Sequence, residues 1–398
     1  MKVLYLSPFI AFGGATRSLV EVMRAMPSDI VDKHAIVAKG VVEKAWYPKD
    51  TTLTEVSGLM QWDNTWFSHY RGHRWLVLLR ELASWRTSRK VFLQVQEAGP
   101  FDIIHCNEIT LLPTAIMAKK ILGASLVVHV RSLQAGPLTP RRTKWITKAL
   151  ARHADAIITI DEAVQRTLDP DLQTDIIYNS MPIPDERATI SDDRKPLTFG
   201  IIGSLSTSKA VLETVEACIE LKRRQVPFRL LIAGENVRKL KGVKGFILKS
   251  FNLARDIELE VQEMVNTHHM EDNVQMLGFV SDIGSVYDQL DVLCFPSHLD
   301  APGRPVFEAA LMGVPSIVAM RNPTKDVIEN GVTGFVIDHP DPILIATAME
   351  AFHDNRSRMK KMGRAARVAA ISRFDSSCAA AKIIKVYNRA LHRSETHF

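Results

Sequence analysis

The stretch from residue 291 to residue 319, "DVLCFPSHLDAPGRPVFEAALMGVPSIVA", contains a complete strand–turn–helix–strand pattern. The apolar runs at its two ends, "DVLCFPS" and "PSIVA", are typical of short buried strands. Between them, Pro305 suits the first helical position, and Gly313 with Pro315 suits the helix end. Because strands that alternate with helices pair in parallel, this stretch predicts an α/β fold class.

The same alternation runs along most of the chain, on both sides of a polar, Pro-rich segment. It predicts two Rossmann-like doubly wound parallel-sheet domains, residues 1–182 and 197–374, joined by a linker over 183–196. A C-terminal helix within 375–398 is expected to pack back toward the N-terminal domain. Ligands of such sheets bind beyond the C-terminal strand ends, so the site is expected in a cleft between the domains.

Two segments, residues 45–95 and 236–270, do not follow the alternation and are predicted to be insertions. Insertions of this kind often carry variable recognition surfaces. A surface excursion with its own small core is the alternative, and the sequence leaves both open.

The composition, 46% hydrophobic and 24% charged, is that of a soluble globular protein. A net charge of +6 favours an anionic partner but is too small for a nucleic-acid binder. Four scattered cysteines form no C-x-x-C motif, so a zinc site is not expected, and three of them read as buried thiols. Pro8 interrupts the N-terminal apolar run, and no uninterrupted apolar segment of about 18 residues follows. We therefore expect a cytoplasmic protein.

The helix inside the opening stretch carries a glutamate, Glu308, that we expect in its first turn, eight residues after Asp300. The free backbone N–H groups of a helix start can hold a phosphate or a polyhydroxyl ligand. A carboxylate there can accept hydrogen bonds from a pair of sugar or ribose hydroxyls. Alternatively, Glu308 only complements the helix dipole and Asp300 is loop surface.

These residues resemble the E-x7-E motif of retaining glycosyltransferase family 4, which has the GT-B fold, with Asp300 at the position of its first glutamate. Other segments resemble the family in the same order along the chain. They are "FGGATRS", "DIIHCN", "LVVHVR", "ADAIIT", "GSLSTSKAVLETVEA", "GFVSDIGSVYDQLDVLCFPS" and "IENGVTGFVID". The resemblance covers most of the chain outside the two predicted insertions.

The resemblance implies a nucleotide-sugar donor held mostly by the C-terminal domain, with Glu308 on the ribose and Lys209 on the diphosphate. It implies that His129, Asp300 and Lys209 form the catalytic set, and that Arg131 and Asn107 lie on the acceptor or phosphate side. The implied donor-binding residues are Gly13, Gly14, Ala15, Gly203, Ser204, Lys209, Gly303, Arg304, Pro305, Val306 and Glu308.

The sequence departs from the family pattern at two places near Lys209. Ser204 stands where the family usually has an arginine, and Ala210 stands where a glycine follows the lysine. A diphosphate leaving group needs more positive charge than one lysine readily supplies, so Arg304 is a candidate substitute cation.

We expect a retaining hexosyltransferase that uses a UDP-sugar, with UDP-glucose as the first candidate, in bacterial surface polysaccharide assembly. In the family reaction the departing diphosphate serves as the base, and the protein positions and stabilises the groups. No tightly bound cofactor and no metal are expected. The alternatives are a GT-B epimerase or hydrolase of nucleotide sugars, and a non-catalytic nucleotide-sugar-binding protein motivated by Ser204 and Ala210.

The acceptor is expected to be a glycan or a lipid-linked molecule. No acidic residue occurs from Ile109 to Ala154, and "PRRTKWITKALARH" predicts a basic helix. Basic faces over 141–152 and 238–249 suit an anionic membrane, which would place the protein peripherally at the inner face of the plasma membrane. An ordinary solvated face is the alternative.

Overall fold

The computed structural model describes residues 1–8, 14–40, 45–65, 77–185, 195–236, 256–299 and 302–395. It divides into two compact units, in which unit 1 comprises Met1–Pro182 and Phe374–Phe398 and unit 2 comprises Ile183–Arg373. The C-terminal helix therefore belongs to unit 1. Three sequence predictions, namely Gly13, Asp300 and the basic face 238–249, lie outside the described residues.

Unit 1 is built on a sheet of parallel strands in the order β3-β2-β1-β4-β5-β6-β7. The strands are β1 (Lys2–Ser7), β2 (Asp32–Ala38), β3 (Thr51–Val56), β4 (Ile103–Cys106), β5 (Ser125–Val130), β6 (Ala156–Thr159) and β7 (Asp175–Ile176). The helices are α1 (Gly14–Ala25), α2 (Val77–Gln96), α3 (Leu112–Leu122), α4 (Pro140–His153), α5 (Glu162–Gln165) and the C-terminal α12 (Ser376–Glu395). The strand order reverses between β1 and β4.

Unit 2 has a second parallel sheet in the order β10-β9-β8-β11-β12-β13, and its order reverses between β8 and β11. The strands are β8 (Leu197–Ile202), β9 (Phe228–Ala233), β10 (Val274–Gly278), β11 (Val292–Phe295), β12 (Ser316–Ala319) and β13 (Gly334–Ile337). The helices are α6 (Val211–Arg223), α7 (Ile257–Thr267), α8 (Gly284–Tyr287), α9 (Arg304–Leu311), α10 (Pro342–Asp354) and α11 (Arg356–Phe374). The predicted fold class, Rossmann-like parallel sheets, is confirmed.

Alternating strand residues build a separate core on each face of the unit 1 sheet. Leu4 and Leu6 of β1 pack in the core that includes residues of α3 and α4. Val3 and Tyr5 point to the opposite face, where α1 and α12 pack. Because both faces are covered by helices, the strands are almost continuously apolar, which is why short apolar runs identified them.

The two predicted insertions contain regular elements of the sheets. Within 45–95, Thr51–Val56 is the edge strand β3, paired in parallel with β2 along its whole length. The mixed sequence "TTLTEV" hid it, because an edge strand is only partly buried and alternates polar residues. Within 236–270, Ile257–Thr267 forms α7, which buries Ile257, Val261 and Val265 in the core of unit 2. The prediction that these segments stand outside the alternation is therefore wrong for these elements.

Two further expectations from the composition can be checked in the described residues. Cys106, Cys218 and Cys294 are buried free thiols, as predicted, whereas Cys378 is exposed. None of the described helices combines the length and the apolar character needed to cross a bilayer.

Candidate functional site

The polar residues of unit 1 gather where β1 and β4 lie side by side, the point at which the strand order reverses. Asn107 directly follows β4, and its Nδ2 donates to Ser7 Oγ at the end of β1 over 3.4 Å and to the Ala15 carbonyl over 3.5 Å. Gly14 opens α1 at an exposed position. Ligands of doubly wound sheets bind at such a reversal, so Asn107, Gly14 and Ala15 lie where a ligand is expected.

Arg131, immediately after β5, is buried and donates hydrogen bonds to groups of unit 1. Its Nε donates to Asn107 Oδ1 over 2.8 Å, and its Nη1 donates to Asn179 Oδ1 over 2.6 Å. Burial lowers the pKa of Arg131 to about 10, against the opposing charge of Glu108, so it is a cation at neutral pH. Three of its five N–H groups thus have partners inside unit 1, and its predicted place on the acceptor or phosphate side stays a prediction.

His129 is the buried histidine of β5, and its tautomer follows from its neighbour. Arg131 Nη2 lies 3.2 Å from His129 Nδ1, and because a guanidinium only donates, Nδ1 accepts and Nε2 carries the proton. Burial, then Arg131 and His105, lower the pKa of His129 well below its ordinary value. Among the described residues nothing accepts a hydrogen bond from His129 Nε2. His129 is thus a neutral imidazole with one unused donor.

A second buried histidine, His105 of β4, was not singled out from the sequence. The register pairs His105 with Val127, so His105 shares a sheet face with His129, and their ring centroids lie 5.4 Å apart. Tyr387 of α12 lies with its Oη 2.8 Å from His105 Nδ1. Burial, reinforced by Arg131, lowers the pKa of His105 to about 3. Strand parity between "IIHC" and "SLVVHV" could have revealed the pair, whereas Tyr387 is 282 positions away and had no local signal.

Glu108, next to Asn107, is a third group that sequence reasoning passed over. Its carboxylate accepts from Ile109 N over 2.8 Å and from Ser132 Oγ over 2.7 Å. Burial raises the pKa of Glu108, and these bonds together with Arg131 oppose the rise. A buried carboxylate thus balances the buried Arg131.

In unit 2 the predicted phosphate residue, Lys209, ends a 3-10 turn between β8 and α6, beside the reversal of that sheet. Its Nζ lies 4.2 Å from the ring centroid of Phe295, the last residue of β11. Burial lowers the pKa of Lys209, and it forms no ion pair within the described part of the chain. Among the described residues the cation therefore contacts an aromatic face and no carboxylate.

Phe295, which was not predicted as a site residue, also explains the predicted glycine at position 303. A Cβ on Gly303 would lie 2.3 Å from Phe295 Cζ, although the backbone there is ordinary, with φ of −96°. Close packing, not unusual torsion angles, thus requires glycine at this position. Phe295 connects the start of α9 with Lys209.

Glu308 lies one turn deeper in α9 than predicted. The helix begins at Arg304 with Gly303 as its N-cap, so Glu308 is the fifth helical residue and no acidic residue occupies the first turn. Glu308 Oε1 accepts from Arg304 Nε over 2.6 Å, and Oε2 accepts from Tyr287 Oη over 2.9 Å. The expectation of a first-turn carboxylate was wrong because the helix starts before Pro305, which takes its second position.

The other predicted residues at the start of α9 contact different parts of unit 2. Arg304 forms an ion pair with Glu308 through its Nε. Part of the positive charge expected to compensate a diphosphate is therefore already balanced by this carboxylate. Val306 is buried in the unit 2 core, and the Pro305 carbonyl lies 3.2 Å from Tyr287 Oη. Tyr287 itself lies in a motif quoted above but was given no role. It fixes the orientation of the Glu308 carboxylate.

The loop after β8 holds the remaining predicted residues. Gly203 has a φ of +130°, and its N–H donates to the Ala233 carbonyl over 3.0 Å. Ser204 is exposed. Ala210 is buried in the left-handed conformation, with φ of 51° and ψ of 41°. This is the position at which the family pattern has glycine, and the glycine-type backbone is retained without the glycine. Among the described residues, no group of three or more His, Cys, Asp or Glu could hold a metal ion.

Comparison with known protein families matches the two halves of the chain separately. Residues 183–369 match the model described as glycosyl transferases group 1, and residues 13–172 match the glycosyl transferase 4-like domain. The glycosyltransferase YqgM of Bacillus subtilis is 21% identical over 307 residues, 75% of this chain and 80% of YqgM. The capsular polysaccharide biosynthesis glycosyltransferase CapM of Staphylococcus aureus is 25% identical over 50% of this chain and 47% of CapM.

Solved structures share the fold over nearly the whole chain. Anabaena HepE in complex with UDP superposes with a TM-score of 0.72 at 19% identity, covering 97% of this chain and 99% of HepE. Sucrose-phosphate synthase from Thermosynechococcus elongatus gives a TM-score of 0.72 at 13% identity, covering 99% and 100%. With both halves matched by family models and both sheets built on the same plan, the chain belongs to the group 1 glycosyltransferases and has the GT-B fold.

Proposed function

We propose that the protein transfers a hexose from a UDP-sugar, with UDP-glucose as the first candidate, to a glycan or lipid-linked acceptor with retention of configuration. The observation that carries this proposal is the Glu308 carboxylate. A carboxylate has about four acceptor positions, and Tyr287 and Arg304 occupy two of those on Glu308. The side chain is 20% exposed. Two positions are left for a pair of ribose hydroxyls.

Lys209 supplies the charge for the departing diphosphate in this proposal. Because it lies over Phe295 and forms no ion pair in the described residues, its charge is available to an incoming anion. The structure of HepE with UDP and glucose, a fold relative, supports the choice of nucleotide. By the family resemblance, Asp300 and the amides around Gly303 and Arg304 hold the donor sugar in this proposal.

In this reaction the protein positions the donor and the acceptor and stabilises the charge of the leaving group. The C1–O bond to the diphosphate breaks while the acceptor hydroxyl attacks on the same face, and its proton passes to the leaving phosphate. Lys209 stabilises the negative charge that develops there. By the family resemblance His129 belongs to the catalytic set of this proposal, as a neutral imidazole whose tautomer Arg131 fixes.

The same proposal covers pathway, location and cofactors. The likeness to CapM supports surface polysaccharide assembly, and the basic helix α4 supports peripheral contact with an anionic membrane from the cytoplasmic side. Neither a metal nor a tightly bound cofactor is required. Transfer that is unaffected by chelators would agree with this statement, and transfer restored only by a divalent ion would overturn it.

The deciding experiment is calorimetric titration of UDP, GDP, dTDP and ADP sugars into the wild type and Glu308→Ala. Two lost hydrogen bonds to a charged acceptor predict a loss of about 10²-fold in affinity for the preferred nucleotide. Tyr287→Phe should lose less, because it frees the carboxylate without removing it. Glu271→Ala, at an exposed position of the same unit, is the matched control and should bind like the wild type.

Three outcomes would contradict parts of the proposal. Nucleotide binding that is indifferent to Glu308 would remove the ribose assignment. Binding without transfer to any acceptor would indicate the non-catalytic alternative raised by Ser204 and Ala210. Consumption of the nucleotide sugar without an acceptor would indicate an epimerase or hydrolase.

A further inference from the structure

Helix α2 of unit 1 carries an apolar face that is open to solvent. Leu79, Leu82 and Leu93 are 55%, 50% and 40% exposed, and Trp85 is 44% exposed. Leu79, Leu82 and Leu93 lie on one side of α2 together with the exposed Arg86 and Arg89, at alternating spacings of three and four residues. Trp85 lies between this side and the buried Phe92. Single exposed apolar residues need no explanation, but four large ones interleaved with two exposed arginines on one helix indicate an amphipathic interaction surface.

Beside this face, unit 1 contains a cavity of about 520 Å³ walled largely by aromatic and apolar side chains. Trp62, Trp85, Trp145 and Met60 line it together with Ile116 and Ala149. The rings of Trp62 and Trp145 lie 5.8 Å apart, and Trp145 is 41% exposed at the cavity wall. Its size is in the range of pockets that enclose small apolar ligands. The α2 face and this cavity share Trp85.

Exposed basic side chains lie at the cavity wall and along α2. Lys148 and Arg152 of α4 line the cavity, are exposed, and form no ion pair within the described part of the chain. Arg86 and Arg89 lie exposed along the apolar face of α2. Burial, then Lys120 and Arg152, lower the pKa of His153 at the same wall, which indicates locally positive surroundings. An apolar chain with an anionic head matches this combination.

We propose that the Trp62–Trp85–Trp145 cavity binds one acyl chain of an anionic phospholipid, whose phosphate pairs with Lys148 and Arg152, while the α2 face lies in the bilayer interface. Tryptophan favours the interface, where its ring is in an apolar layer and its N–H is near water. Basic side chains add attraction to anionic headgroups. The inference deepens the membrane contact of the proposed function and rests on it.

The first test is sedimentation of the full chain with vesicles of phosphatidylcholine alone and of phosphatidylcholine mixed with phosphatidylglycerol. Binding is expected only to the mixed vesicles. Each cation near an anionic surface contributes about fivefold, so Lys148→Gln/Arg152→Gln should weaken vesicle binding by about 30-fold. The matched control is Lys361→Gln/Arg364→Gln, two exposed cations of α11 in unit 2, which should bind like the wild type.

The second test separates a chain-binding cavity from a flat interfacial face. Short-chain phosphatidylglycerol, titrated as monomers below its micellar concentration, should bind one molecule per chain. Ile116→Trp fills the cavity without touching the cations and should abolish this binding, and Ala149→Met is a milder second filling variant. Vesicles with brominated acyl chains should quench the fluorescence of the wild type, and less strongly in Trp145→Phe.

Each result supports or overturns a defined statement. Vesicle binding that survives cavity filling and loss of Lys148 and Arg152 would leave the membrane contact to other segments and overturn the lipid site. Saturable binding of a polyprenyl phosphate with none of phosphatidylglycerol would replace the phospholipid with a lipid-linked acceptor. Absence of vesicle binding with intact UDP affinity would remove the membrane contact while leaving the proposed glycosyl transfer in place.

Discussion

The charged residues beside the two sheet reversals differ in their burial. In unit 1, Arg131, Glu108 and His129 are all buried, and every charge is balanced inside the unit. In unit 2, Glu308 and Arg304 are 20% and 22% exposed, and Lys209 rests on an aromatic ring. At one reversal the polar groups are buried and contact one another, whereas at the other a carboxylate and a cation are partly exposed.

This difference in burial determines what the titratable groups of each unit can contribute. Burial moves pKa values and fixes tautomers, so the unit 1 network suits a neutral donor of fixed orientation at His129. Partial exposure keeps charges ready for an anionic ligand that brings its own counter-charge. Substitutions should therefore cost mainly stability in unit 1 and mainly ligand affinity in unit 2.

Arg131→Met is expected to destabilise unit 1 by about 3–5 kcal/mol, because it leaves Asn107 Oδ1 and Asn179 Oδ1 without this donor and removes the positive charge that favours the buried Glu108 carboxylate. The measurement is urea unfolding followed by tryptophan fluorescence. All six tryptophans lie between residues 46 and 145, so this signal reports on unit 1 alone. UDP affinity of the folded variant should change little.

Two further variants decide whether the buried charge is the cause. Arg131→Met/Glu108→Gln should recover much of the loss, because a neutral amide needs no cation. Arg166→Gln removes a mostly exposed arginine whose i,i+4 pair with Glu162 spans 3.3 Å, and it should cost less than about 0.5 kcal/mol. If the double variant is no more stable than Arg131→Met, the Glu108 explanation is wrong.

Acid should destabilise unit 1 through His105. Its folded pKa of about 3 lies below the ordinary 6.5, so it is neutral in both states near pH 7. As the pH falls below 6.5, the unfolded chain binds a proton that the folded unit does not. This costs about 1.4 kcal/mol per pH unit, or about 2.7 kcal/mol over two units. His105→Asn should reduce the acid slope by that amount in unfolding measured at several pH values.

Tyr387→Phe is the matched control for this slope. It removes the hydroxyl that contacts His105 but leaves the histidine buried, so stability should fall at every pH while the slope stays. An unchanged slope in His105→Asn would show that other groups, such as His34 or His129, govern the acid response.

The sequence predicts a feature when neighbouring residues determine it, and not when it depends on contacts between residues far apart in the chain. Strands buried on both faces are recognised in the sequence as apolar runs, so the sheets and α9 were predicted from local patterns. The edge strand β3, which is only partly buried, was not. Asn107, His129 and Arg131 were found because each lies near the end of, or directly after, a buried strand. Tyr387 contacts His105 across 282 positions, and no local pattern shows this contact or the packing of the Phe295 ring against Gly303.

UDP binding should depend on pH through Lys209. Burial lowers its pKa from the ordinary 10.5, and an anionic diphosphate restores the charged form. Affinity is therefore full below the lowered pKa and falls by about tenfold per pH unit above it, a loss of about 1.4 kcal/mol. Calorimetric titrations from neutral to alkaline pH should show this fall in the wild type. Lys209→Arg keeps its charge and should remove the dependence, and a parallel fall in both proteins would exclude Lys209 as the source.

The smallest effect is expected from Ala210→Gly, and it should be stabilising. Ala210 has a φ of 51°, where a Cβ costs about 1 kcal/mol or more that glycine avoids. Glycine gains some entropy in the unfolded chain, which offsets part of this, so the net gain is about 0.5–1 kcal/mol in thermal unfolding of unit 2. Ala217→Gly, within α6, is the opposite control and should destabilise by about 1 kcal/mol. If Ala210→Gly also destabilises unit 2, packing of the buried Ala210 methyl group outweighs the backbone conformation. Ala210 would then be favoured at this position, and its departure from the family glycine would cost the fold nothing.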